Sequence, residues 1–144
     1  MHLIKLCVGV DSLEHLAAWQ AMRLGQLHAA GQPPELVHRT RQTPRQRDAV
    51  IAGGSLYWVI KGTIQVRQKI LDLREEVDRE DRPCCAIVLD EALIATKPQP
   101  RRAFQGWRYL APEDAPADLG PVQGTDADGM PAAMRAALAE LALL

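Results

Sequence analysis

Ser55-Leu-Tyr-Trp-Val-Ile-Lys61, closed by Gly62, is rich in aromatic and β-branched residues and is the clearest strand in the chain. Working outward from it, the next segment alternates Ile64 and Val66 with Gln65 and Arg67. It then reaches Ile70 and Leu71, and is assigned as a second strand over 64–73. Before the strand, Thr43 caps a short helix with Pro44 at its first position, ending at Gly53-Gly54. Leu36 to Gln42 is a further strand, and the apolar run from His2 to Val10 an earlier one. Between those two, Asp11 followed by Glu14 signals a helix start, and Gly31 with Pro33-Pro34 its stop near Ala30. The core stripe of that helix is Leu13, Leu16, Ala17, Leu24 and Leu27, with Gln20 in its middle and Trp19 and Met22 off it.

Beyond Leu73, Arg74 to Arg82 reads as a charged hairpin tip and Cys84 to Leu89 as a short buried strand. Lys97-Pro-Gln-Pro reads as a polyproline-like connector into a last strand around Phe104 to Leu110. These elements make residues 1–110 one α+β domain with packed helices, built on a small bent antiparallel sheet or partial β-barrel. Residues 111–144 are expected to wrap its surface irregularly as far as Gly129 and then dock a C-terminal helix from Pro131, through Met134, Leu138 and Leu141.

The chain has 144 residues, 47% hydrophobic and 24% charged, enough for one good core without a metal or disulfide staple. Its cysteines are Cys7, Cys84 and Cys85. An odd count with two adjacent is a poor disulfide framework and suits a reducing, cytoplasmic compartment. The apolar start is short and carries Lys5 inside it, unlike a signal core, and no run reaches membrane-helix length.

A net charge of −1 hides a segregation. From Leu36 to Leu71 stand Arg39, Arg41, Arg45, Arg47, Lys61, Arg67 and Lys69 against Asp48 alone. From Ala95 to Pro112 stand Lys97, Arg101, Arg102 and Arg108 with no acid. The acids collect between Asp72 and Glu91 and after Glu113. Tyr57, Trp58, Phe104, Trp107 and Tyr109 fall within the two basic segments. Cations attract phosphates, and rings stack unpaired bases at about 1–3 kcal/mol each, so nucleic acid is the expected partner and looped or single-stranded RNA the favoured form. The phosphate-binding candidates are Arg39, Arg41, Lys61, Arg67, Arg101, Arg102 and Arg108; the stacking candidates are Tyr57, Trp107 and Tyr109. The expectation requires the two basic segments to converge in space. The competing reading is a soluble sheet whose arginines only protect its edges.

The segments Ser55–Gly62, Arg67-Gln68 and Phe104-Gln-Gly-Trp-Arg-Tyr-Leu110 resemble an alphaproteobacterial family that carries a domain-of-unknown-function label, over nearly the whole chain. Separately, Asp48-Ala-Val-Ile-Ala-Gly53 and Thr63-Ile-Gln-Val-Arg67 are similar to the signature of the activating-signal-cointegrator homology domains, which are PUA-like barrels. That second resemblance implies a PUA-like fold and RNA binding, with Gly53 and Arg67 at matched positions; some members are small amidohydrolases. The chain departs from it where strand 55–61 intervenes and where Gln65 replaces a glutamate. Glutamine cannot titrate, which removes the acid–base group.

No catalytic motif is strong, and neither a cofactor nor a metal is expected. Cys84 and Cys85 point to opposite faces of a strand and lack partners at zinc spacing, so they read as core, as does Cys7. His15 lies on a polar helix face. His38 is the one histidine beside the basic segment and the candidate general base. Ser55 and Gly53-Gly54 lack the context of a nucleophile elbow or phosphate loop. The alternatives to a nucleic-acid module are a small hydrolase of amide or nucleoside-like substrates using Thr63, Lys61 or His38, and a protein-interaction module using Trp19 and Met22.

Overall fold

The structure, a computed structural model, describes residues 1–122. In chain order the elements are β1 (His2–Leu6), α1 (Leu13–Ala29), β2 (Leu36–Thr40), α2 (Arg47–Ile51), β3 (Ser55–Ile60), β4 (Thr63–Val77), β5 (Pro83–Leu89), β6 (Leu93–Pro100), β7 (Trp107–Leu110) and β8 (Asp118–Val122). A 3-10 turn covers Pro112–Asp114.

Every residue of β3 is buried, because strands flank it and core clusters cover both its faces. It pairs antiparallel with β4 through the two-residue turn Lys61-Gly62, whose φ of 50° and 78° are the left-handed values such hairpin loops need. On its other edge it pairs parallel with β1, which in turn pairs antiparallel with β7. β4 is the long spine. Its first half pairs with β3 and β6, its second half with β5, and the ladder slips between Ile70 and Asp72. β2 flanks β5 and β8 flanks β6. The result is an open, mixed eight-stranded sheet with β2 and β7 at the ends of its main path.

Leu3, Leu56, Trp58, Ile60, Val66 and Ile70 form the main core with Leu13, Leu16 and Ala17 of α1 and Val50 of α2. The other face carries a smaller cluster of Ile4, Tyr57, Val59, Ile64 and Leu110, with Phe104 and Ala115 against it. Gln20 sits in the buried stripe of α1, where it meets a partner. Its amide exchanges two hydrogen bonds of 2.9 Å with the amide of Gln68. Gln68 also accepts from Trp58 Nε1 at 2.9 Å and donates to the Asp90 carbonyl at 3.0 Å, so both ends of its amide are occupied.

Several sequence readings are corrected. The sheet is mixed rather than antiparallel, through the β1–β3 pair. Lys97–Pro100 is the end of β6, not a polyproline connector; the prolines are tolerated because the ladder is irregular on both sides, slipping between Ile64 and Val66 and between Ala95 and Thr96. Arg74–Val77 belongs to β4, leaving only 78–82 as the turn. The chain after Leu110 is not all irregular, since β8 adds an edge strand. Helix α2 starts at Arg47 rather than at Pro44. Ser12, not Asp11, caps α1: its Oγ accepts from His15 N at 3.0 Å, while His15 Nδ1 accepts from Asp11 N at 3.2 Å, giving that histidine a capping role. The C-terminal helix expected from Pro131 lies outside the described residues. No helix among the described residues is long and apolar enough to cross a membrane.

Candidate nucleic-acid interface

Lys5 organises the site. In register it stands between Trp58 of β3 and Trp107 of β7, so the three side chains leave the same face of the sheet. A concavity opens on each side of it. Toward β7 lies a groove of about 600 Å³, lined by Lys5, Arg39, Arg41, Gln42, Gln105 and Trp107 among others. Toward α1 lies a cavity of about 630 Å³, lined by Lys5, Cys7, Leu16, Gln20, His38 and Trp58 among others. The groove brings Arg39 and Arg41 of the first basic segment beside Trp107 of the second, but none of Lys97, Arg101, Arg102 and Arg108 lines it and Asp78 does, so the expected convergence of the two sets of cations is not found there.

The arginines are not equally available. Arg39 meets Glu76 at 3.0 Å, and Arg41 meets Asp78 at 2.9 Å and the Pro83 carbonyl at 3.3 Å. These pairs, with Arg74–Glu35, bridge from β2 or the residues beside it to β4 and its turn, across β5. The Arg39 and Arg41 side chains remain 60% and 59% exposed, where an ion pair contributes only about 0–1 kcal/mol. Arg67 differs. Its guanidinium holds both oxygens of Asp118 at 2.8 and 2.7 Å and donates to Ser55 Oγ at 2.9 Å, with the side chain 22% exposed. The Arg67 guanidinium keeps the Asp118 carboxyl below its ordinary range. Arg67 is a structural clamp between β4 and β8.

Tyr57 is buried in the smaller core cluster, edge-on to His2, and offers no stacking face to a partner. Trp107 and Tyr109 share the opposite face and meet edge-to-face at 4.8 Å. Trp107 Nε1 donates to the Gln42 carbonyl at 2.7 Å, and Tyr109 Oη accepts from Gln46 N at 3.0 Å, which ties β7 to the chain after β2. Arg108 points to the other face, 5.5 Å over the Phe104 ring. Lys61, Arg101 and Arg102 gather at the β3–β4 turn, where Arg101 N donates to the Gly62 carbonyl at 2.8 Å; Arg101 Nε is buried without a partner. Of the ten residues, only Arg39, Arg41 and Trp107 line the groove; the others lie at the β3–β4 turn, in the β4–β8 clamp, on the opposite face or packed against the core.

Sequence reasoning missed Lys5, whose place in an apolar strand hid it. The available signal was its alternation with Leu3 and Cys7 on one face. Lys5 lines both spaces, and its charge acts on Cys7 and His38 of the cavity wall. Burial lowers the Lys5 ammonium, and burial pushes the Cys7 thiol up to about 12, which makes it a poor nucleophile. Burial, helped by the nearby Lys5 charge, lowers His38 to about 4. It packs edge-on against Trp58 at 5.1 Å, and its Nε2 has no hydrogen-bond partner. Because the unfolded histidine titrates near 6.5, the unfolded chain takes up this proton first. The stability contribution of neutral His38 is complete above about 6.5 and is lost as pH falls toward 4, a cost of about 3 kcal/mol. An NMR titration of the His38 ring is expected to show a midpoint near 4; an ordinary midpoint would contradict this packing.

The sequence profile of a family described as protein of unknown function (DUF1489) matches residues 3–144. The chain belongs to the DUF1489 family. The match takes in every element but for the first residue of β1, so the groove and the cavity both fall inside the DUF1489 region. No curated protein and no solved structure matched the chain.

Proposed function

We propose that this DUF1489 domain is a nucleic-acid-binding module of the cytoplasm that holds single-stranded RNA in the groove between β2 and β7. The observation that carries the reading is the convergence there of Lys5, Arg39, Arg41 and Trp107. Lys5 of β1 with Arg39 and Arg41 at the end of β2 follow the backbone, and the indole of Trp107, edge-on to Tyr109, receives an unstacked base. The resemblance to the PUA-like activating-signal-cointegrator homology domains supports RNA over DNA. Three cysteines with no disulfide suit the cytoplasm. Lys61, Arg101, Arg102 and Arg108 have no acidic partner among the described residues, but they lie at the β3–β4 turn or on the other face of the sheet, outside the groove.

Fluorescence anisotropy with a short single-stranded oligoribonucleotide, across a salt series, tests the reading. Binding is expected to weaken with salt. The double substitution Arg39→Gln, Arg41→Gln should reduce the log–log slope by about 1.4, two phosphate contacts at about 0.7 each. An unchanged slope, or no binding at low salt, counts against it.

We place the RNA reading ahead of the hydrolase alternative because Lys61 in the β3–β4 turn and Thr63 beside it line neither the groove nor the cavity that holds His38. A protein-interaction module is favoured as a second reading by Trp19 and Met22, exposed at 51% and 56% on α1. Sedimentation of the wild type against a Trp19→Ser, Met22→Ser variant reads it; identical monomer profiles would remove self-association.

A further inference from the structure

The cavity beneath α1 has a charge balance that no single element displays. Lys5, Arg23 and Arg39 line it against one carboxylate, Glu35. Glu35 is already held by two guanidinium nitrogens of Arg74 at 2.9 and 3.0 Å, and Arg39 by Glu76. Lys5 and Arg23 have no ion-pair partner among the described residues. The lining therefore holds two uncompensated cations and no uncompensated acid.

The rest of the wall is mixed, the apolar side chains Leu16, Leu27, Leu36 and Leu89 and the Trp58 indole standing beside His15, Gln20, Gln32 and His38. The floor is fixed in advance, because Trp58 is hydrogen-bonded to Gln68 and Gln68 to Gln20. A wall that does not need to reorganise loses less free energy when it orders around a guest. At about 630 Å³ the cavity is of the size that takes a small organic molecule, and it offers such a guest both apolar surface and charged or polar groups. A metal is a poor occupant: no group of three His, Cys, Asp or Glu suited to one exists among the described residues.

We propose that this cavity binds a small organic anion, a single carboxylate, phosphate or sulfonate on an apolar or aromatic body, with the anionic head on Lys5 and Arg23 and the body against Trp58 and Leu16. The ammonium of Lys5 is partly desolvated, so an anion regains for it the charge stabilisation that burial removed. Gln20 and His38 are among the neutral polar residues of the same lining. The proposal does not rest on RNA binding, although Lys5 and Arg39 line both spaces.

The test is fluorescence titration of the folded full chain with two matched probes, anilinonaphthalene sulfonate and uncharged phenylnaphthylamine. The anionic probe is expected to occupy one site at least about tenfold more tightly than the neutral one, the scale of one charge-assisted contact. Lys5→Gln and Arg23→Gln should each abolish most of that preference while leaving the circular dichroism and the neutral probe unchanged. Arg41→Gln, which touches the groove but not the cavity, should keep the preference and weaken only RNA. Equal affinity for the two probes, or a preference that survives Lys5→Gln, overturns the proposal. So does displacement of the anionic probe by inorganic phosphate as effective as that by an aromatic carboxylate. A chain that ignores RNA but keeps the preference refutes the groove alone; one that binds RNA without the preference refutes the cavity alone.

Discussion

Replacing Gln68 with alanine is expected to destabilise the domain by about 3–5 kcal/mol, read as a shift of the urea midpoint at unchanged slope. Gln68 is fully buried, and its amide carries four hydrogen bonds, two exchanged with Gln20 and one each with Trp58 and the Asp90 carbonyl. Alanine leaves the Trp58 indole N–H and the Gln20 amide without partners inside the core, each costing about 1–3 kcal/mol. It also opens a void beneath α1. Gln20→Ala should cost less, because Gln68 then keeps Trp58 and Asp90. A Gln68→Ala loss below about 1 kcal/mol would show that the network is not what joins α1 to the sheet.

Gly54→Ala is expected to have an effect of similar size for a different reason. Gly54 is buried where three backbones meet: its N–H donates to the Val50 carbonyl at 2.7 Å, its carbonyl accepts from Ile70 N at 3.0 Å, and Met1 lies alongside. An added Cβ would collide with the carbonyl oxygens of Met1 and Val50, both backbone atoms that cannot swing aside. Separating α2 from β1 to make room should cost about 3–5 kcal/mol. Its neighbour is the control. Gly53 has open space around it but a φ of 108°, so Gly53→Ala should cost only about 1–2 kcal/mol of backbone strain. Thermal denaturation of the two variants separates them, and equal shifts would contradict the steric account.

Local signals were legible where they were strong. Residues 55–61 announced β3, the glycine and prolines after Ala30 ended α1, and Gln20 stood out as a polar residue in an apolar stripe. Edge strands were not legible. β6 ends in Lys-Pro-Gln-Pro and β8 contains Gly-Pro, compositions that read as connectors because ladder irregularities and an exposed edge relieve the prolines. The parallel pairing of β1 with β3 joins segments more than 50 residues apart, which no local pattern encodes. The candidate site failed and succeeded for the same reason. Charge segregation along the chain was real, but β2 and β4 both flank β5, so Arg39 meets Glu76 and Arg41 meets Asp78 across it. The same sheet path brings Trp107 to the chain after β2 and Lys5 between two indoles.

Ultraviolet cross-linking of a single-stranded oligoribonucleotide containing 4-thiouridine, followed by mass-spectrometric mapping of the adducts, tests most directly whether RNA occupies the groove. Adducts on Trp107 and on the Arg39–Gln42 segment are the result this account predicts. Adducts confined to the Lys61-Gly62 turn, or none in the groove despite measurable binding, would contradict it.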